Sequence, residues 1–167
     1  MPDIISKDGS INADNWTVVA RPAPGDSLDL PEGPVLIPMD LWIAGQEHFS
    51  GRTDVGVWLE SHDEPEALDG LVNELPVIAV NFPKFSDGRG YSIGRLLRER
   101  FGYQNELRAI GDVLLDQLQF MKRCGFDAYA LREDKDASKA AACLNFFSNS
   151  YQAATDTDVP LFRRRAS

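Results

Sequence analysis

The chain is short of the residues on which most metal and redox chemistry depends. Its 167 residues include two histidines and two cysteines. Cys124 and Cys143 form no CxxC pair, which excludes a disulfide scaffold and a cysteine-rich metal or iron–sulfur site. Two such thiols are expected to stay reduced in a bacterial-type cytosol. No apolar run approaches the ~20 residues that cross a bilayer. The opening MPDIISKDGS lacks the basic-then-apolar order of a secretory signal, so a cytoplasmic protein is expected. Nucleotide fingerprints are missing as well. There is no GxxxxGK(S/T), and GRGYSIG spaces its glycines as GxGxxxG, one residue too long for a dinucleotide loop. No flavin, nicotinamide or haem motif is present, and no cofactor is assigned.

Basic residues are scarce where the chain begins. Residues 1–75 hold 15 acids and 3 bases, residues 76–132 hold 6 and 9, and residues 133–167 hold 5 of each. The net charge of −9 is therefore concentrated before residue 76. Taken whole, such a chain repels nucleic acid and anionic membranes. An anion-binding role must come from the basic middle segment. The acidic first half is a candidate docking face for a basic partner.

Apolar residues make up 43% of the chain, enough to core one ordinary domain. Residues 1–34 are rich in Asp, Gly, Pro and Asn and read as an N-terminal arm with one short strand over 16–20. From residue 35 strands alternate with helices. Strands are expected over 35–37, 55–59, 76–82, 107–110 and 127–131, and PVIAVNF, apolar on both faces, is the central one. Helices are expected over 66–73, 91–101, 112–124 and 137–154, with a helical turn within 41–49. Leu114, Leu118 and Met121 make one apolar stripe; Ala140, Leu144, Phe147 and Tyr151 make another. This alternation predicts a single α/β domain over 35–154, a mostly parallel sheet of five to six strands with helices on its faces. A partial or half (β/α) barrel is the alternative. Residues 155–167 read as a mobile tail that Leu161 and Phe162 can anchor. The arginine triplet 163–165 is too short to bind nucleic acid.

Ligands of parallel α/β folds bind beyond the carboxyl ends of the strands. Those positions hold Asp40, Glu60, Asn81 with Lys84, Asp112 and Arg132. Strand ends are also exposed, and hence polar, in any fold. Asp112, Asp40 and Glu60 are the candidates for acid–base work or for orienting cations. Asp112 and Asp116, with Asp40 and Glu60, resemble a hard-cation set. Acids in a helix's first turn also simply favour its dipole, and no metal is assigned.

Residues 81–100, NFPKFSDGRGYSIGRLLRER, are the most informative stretch. Ser86 or Asp87 can cap the following helix. Gly88, Gly90 and Gly94 allow close backbone approach, and Lys84, Arg89, Arg95 and Arg98 supply cations. A glycine-rich loop opening a helix holds oxyanions such as sulfite, sulfate, phosphate or a carboxylate. The candidate anion site is therefore Lys84, Ser86, Gly88, Arg89, Gly90, Arg95 and Arg98. The competing reading is a solvated, arginine-bearing helix face. His48 and His62 read as surface residues in loops. Cys124, beside Lys122 and Arg123, gains thiolate character if exposed and packs as a small apolar group if buried. Trp42 and Trp58 read as core or partner contacts.

Several stretches together resemble a bacterial family of unknown function. They are VLIPMDLW, VGVWLES, LPVIAVNFPKFSDGRGYSIGRLLRERFGY, ELRAIGDVLLDQL, RCGFDAYALRED and VPLFRRR, spread over residues 30–165. Members of that family are described as oxidoreductases of sulfite reduction, a link that comes from gene neighbourhood. The resemblance implies an accessory protein or oxidoreductase of assimilatory sulfite reduction, binding a small oxyanion or sulfite reductase itself. It assigns no catalytic residue. The alternative is a non-catalytic interaction subunit that docks on sulfite reductase through its acidic half. A redox enzyme that borrows flavin or nicotinamide without a motif is a third reading. Self-association through incompletely covered apolar faces is a further option.

Overall fold

The computed structural model describes residues 3–23 and 30–164. Residues 24–29 of the proline-rich stretch and Arg165 of the arginine triplet lie outside them. The N-terminal arm carries three strands where one was expected: β1 (Asp3–Ser6), β2 (Ile11–Ala13) and β3 (Thr17–Val18). Then follow β4 (Val35–Pro38), β5 (Val55–Leu59), β6 (Val77–Phe82), β7 (Glu106–Gly111) and β8 (Ala128–Tyr129). All eight join one sheet in the order β2-β1-β8-β7-β6-β5-β4-β3. Strands β3 to β8 run parallel, and β1 is antiparallel to both β8 and β2. The sheet is mixed and larger than the mostly parallel five or six strands expected. The difference lies in β1 and β2, which are too short and polar to show a period and pair as a hairpin.

The helices are α1 (Met39–Ala44), α2 (Gln46–Phe49), α3 (Arg89–Glu99), α4 (Leu118–Arg123), α5 (Ala140–Leu144) and α6 (Leu161–Arg164). None is long and apolar enough to cross a membrane. The helix expected over 66–73 is two 3-10 turns, Pro65–Leu68 and Val72–Glu74, separated by Gly70 at φ +78°. The one expected over 112–124 starts only at Leu115, after Gly111 has turned the chain at φ +91°. The last expected helix stops at Leu144. Ala140 and Leu144 of its stripe are buried, but Phe147 and Tyr151 find no core and are 64% and 65% exposed. The tail folds back instead: Leu161 N–H donates to Tyr151 O at 2.9 Å.

The two faces of the sheet are covered differently. Ile37, Val57, Ile78, Val80, Phe82 and Leu107 pack with Ile93 and Leu97 of α3 and Leu118 and Met121 of α4. On the other face Leu36, Trp58, Val77, Ala79 and Ile110 form a second cluster that receives Trp16 of the arm and no helix. Consecutive strand order with helices on one side is what repeated right-handed crossovers produce. It is also how a (β/α) barrel begins.

The arm shows that the sheet curls. The edge strands β2 and β3 are separated in sequence by Asp14, Asn15 and Trp16 alone. Chain of that length reaches at most ~14 Å. The edges of a flat eight-stranded sheet would stand roughly 34 Å apart. The sheet is therefore bent into a half-barrel, and residues 14–16 cross its inner face. Arg108 of β7 waits there, 2% exposed. Its Nη1 donates to both oxygens of Asp14 at 2.7 Å, and its Nε donates to Glu106 at 2.8 Å.

Breaking one partner of a buried pair costs more than removing both. Arg108→Ala is expected to destabilise the protein by ~3–5 kcal/mol, whereas Arg108→Met with Asp14→Leu recovers most of the loss. Urea melts of the three chains check this; equal losses in single and double variants would refute it.

Candidate functional site

The parallel strands deliver their last residues to one rim of the half-barrel, and ion pairs there link neighbours. Glu60, after β5, accepts from the Asn81 amide of β6 at 3.0 Å. Asp40, after β4, accepts from Arg21 at 3.2 Å, and Arg21 also lies 3.5 Å from Asp63 and over the Trp58 ring. Asp63 in turn accepts from the Glu60 backbone N–H at 2.8 Å. Asp112, after β7, accepts from the Phe85 N–H at 2.8 Å and from Arg132 at 2.7 Å. Arg132, after β8, is shared with Asp134 at 2.5 Å.

Glu60 and Asp40 thus share one chain of contacts through Asp63 and Arg21. Asp112 belongs to a separate pair, where it orients Arg132 and pins the loop after β6. Asp116 sits in the 3-10 turn Leu115–Gln117 and does not share a helix face with Asp112. Among the described residues no three His, Cys, Asp or Glu side chains are grouped to hold a metal ion.

The seven candidate anion ligands are not brought together. Arg98 lies near the far end of α3, roughly 14 Å along the axis from Arg89. It donates to the carbonyls of Gly125, Tyr103 and Asn105 and to Asp127 at 2.7 Å. It clamps the entrances of β7 and β8. Arg95 pairs with Glu99 one turn on, at 2.9 Å. Lys84 and Ser86 are exposed and make no side-chain hydrogen bond among the described residues. Gly88 immediately precedes α3.

The place expected for an oxyanion holds Asp87. Its Oδ1 accepts from the Arg89 backbone N–H at 3.2 Å, but the N-cap position itself is Gly88, with no side-chain cap, where Ser86 or Asp87 was expected. Arg89 Nε and Nη2 donate to the same carboxylate at 3.0 and 2.7 Å, and the buried Ser61 hydroxyl donates at 2.8 Å. The Arg89 fork and Ser61 hold its carboxyl well below the usual carboxylate range. Neither Ser61 nor Arg21 stood out in the sequence. Each is placed by a neighbouring strand, a long-range fact that no local pattern carries.

Gly90 and Gly94 prove to be packing glycines. A Cβ on Gly90 would stand 2.7 Å from the buried Phe82 ring, and one on Gly94 2.5 Å from Phe126. Nothing lies within 4.0 Å of a Cβ on Gly88 except Tyr91. The remaining candidates are settled by burial. Cys124 is buried, which pushes its thiol up despite Arg95 and Arg123 nearby. His48 and His62 are exposed. Trp42 lies in the helix-side core, and Trp58 Nε1 donates to Val19 O at 2.9 Å.

Two expectations follow. Gly90→Ala and Gly94→Ala each cost ~1–3 kcal/mol by overpacking, while Gly88→Ala is close to neutral. A phosphate-type cradle would reverse that order, and thermal melts decide. Asp87 contributes its stability above the ordinary carboxylate pKa of ~4 and loses it as pH falls below that value. Asp87→Asn should therefore melt lower than the parent at pH 7, with the gap narrowing in acid. A constant gap across pH would overturn the role given to this carboxylate.

A family described as "Bacterial protein of unknown function (DUF934)" matches residues 56–162, from β5 into α6. No curated protein and no solved structure matches the chain. The match spans well over half of the sequence, and the chain belongs to this bacterial family of unknown function.

Proposed function

We propose that the protein is an accessory subunit of assimilatory sulfite reduction, a non-catalytic module that docks on sulfite reductase through its acidic flank. The sulfite-reduction setting is what its sequence resemblance implies. The observation that carries the docking role is topological. Because β4 and β5 are neighbours near one edge of the sheet, residues 30–75 stay together on one flank. That stretch contains 10 acids and a single base, Arg52, which is itself tied to Asp54 at 2.8 Å. Glu32, Glu47, Glu64 and Asp69 are exposed and form no ion pair among the described residues. A one-sign surface of this kind steers a basic partner and sets its orientation.

The oxyanion reading of residues 84–98 has less support. Arg89, Arg95 and Arg98 already hold carboxylates, and an external anion would have to displace Asp87. Affinity-tagged protein passed over native-host lysate tests the docking reading. Sulfite reductase should co-elute at low salt and be lost at ~0.5 M NaCl, where charge is screened within a few ångströms. Glu47→Lys with Glu64→Lys and Asp69→Lys should lower recovery at least tenfold. Absence of the reductase at both salt levels would sink the proposal.

A further inference from the structure

The inner face of the half-barrel carries an open cleft of about 840 Å³ that neither the acidic flank nor the Asp87 seat uses. Its walls are Ile110 of β7, Ala130 just after β8, and Trp16 and Val18 of the arm. Asn81, Arg132 and Glu133 stand at its rim, at the carboxyl ends of the strands. Gly111 takes part without a side chain, at φ +91°, and a Cβ there would collide with Asn81 Oδ1. The Asn81 carbonyl therefore remains beside the cavity while its amide is held by Glu60.

The volume falls in the range of small-molecule pockets, roughly 300–1,000 Å³. An apolar wall with a few polar groups at one end is their usual composition. The charge balance selects the ligand further. Arg132 is divided between Asp112 and Asp134, and Lys135 lies 3.0 Å from Asp134. Arg108, beneath, is spent on Asp14 and Glu106. Glu60 accepts only a neutral amide, and Glu133 has no cation partner among the described residues. Carboxylates outnumber cations around the opening, so a small anion is repelled there. Trp16 supplies an indole, the aromatic surface that attracts cations most strongly.

We propose that this cavity binds a flat aromatic cation of two or three rings. The rings lie beside Trp16 along the Ile110–Ala130 wall, and the positive charge faces Glu133 and the Asn81 carbonyl. Binding is independent of the docking role, since none of the exposed acids Glu32, Glu47, Glu64 and Asp69 lines the cavity.

Two dyes of similar size and opposite charge provide the test: thioflavin T, a cation, and anilinonaphthalene sulfonate, an anion. Thioflavin T should bind once per chain, quench tryptophan emission and bind at least tenfold tighter than the sulfonate. Val18→Trp fills the cavity from a position that is 47% exposed, so folding is not at risk, and it should weaken thioflavin T at least tenfold. Val18→Ser leaves the space open and should retain binding. Glu133→Lys, also at an exposed position, should weaken it about fivefold at low salt. No saturable thioflavin T binding, equal affinity for both dyes, or unchanged affinity in Val18→Trp would each overturn the proposal.

Discussion

The buried contact between Arg108 and Asp14 determines how the sheet closes on itself. A guanidinium that is 2% exposed must find carboxylates or forfeit its solvation. Glu106 is on the same strand, but Asp14 is 94 residues away. To reach it the arm must cross the inner face, and once it does, β2 and β3 become opposite edges of one sheet joined by three residues. The curvature, the covering of Trp58 and Ile110 by Trp16, and the cavity left beside them all follow from that crossing. Without it the inner face would be a contiguous exposed apolar surface.

A second regularity is that the protein neutralises its own cations. The first turn of α3 presents an unpaired N–H, the positive end of a dipole and an arginine, the usual preparation for an external anion. Here Asp87 meets all three and Ser61 adds a fourth donor. Arg98 goes further: three carbonyls and Asp127 take four of its five N–H donors. Burial pushes the Asp127 carboxyl up against the pull of that arginine, so the clamp relies on the carbonyls as much as on charge. A locally basic sequence has become a set of internal ties.

These ties mark the boundary of what the sequence reveals. The strands expected over 55–59 and 76–82 and the helix expected over 91–101 fall within two residues of β5, β6 and α3, because their apolar period is local and long enough to count. The strand-end positions of Glu60, Asn81, Asp112 and Arg132 were legible too, since α/β alternation alone puts them on one rim. What was not legible depends on partners distant in sequence. β1 and β2 have three or four residues each and exist by virtue of pairing. Phe147 and Tyr151 continue the stripe of α5, yet the helix ends because nothing covers them. The glycines of GRGYSIG looked like a loop for a ligand, and the reason for Gly90 and Gly94 is the rings of Phe82 and Phe126, while nothing crowds Gly88.

Charge placement is the last property that topology controls. In a doubly wound sheet the winding reverses once, and the two halves of the chain cover opposite faces. In a half-barrel with sequential strands, sequence position maps onto angle around the sheet. The acid-rich residues 30–75 then lie toward one flank, and Arg89, Arg95 and Arg98 sit on the next, each paired with a carboxylate of its own surroundings. The surface is consequently more polarised than the net charge of −9 suggests. Long-range steering depends on such asymmetry more than on total charge, because opposite patches on one molecule orient a partner before contact. The fold thus converts an uneven composition, with no motif in it, into a directional surface.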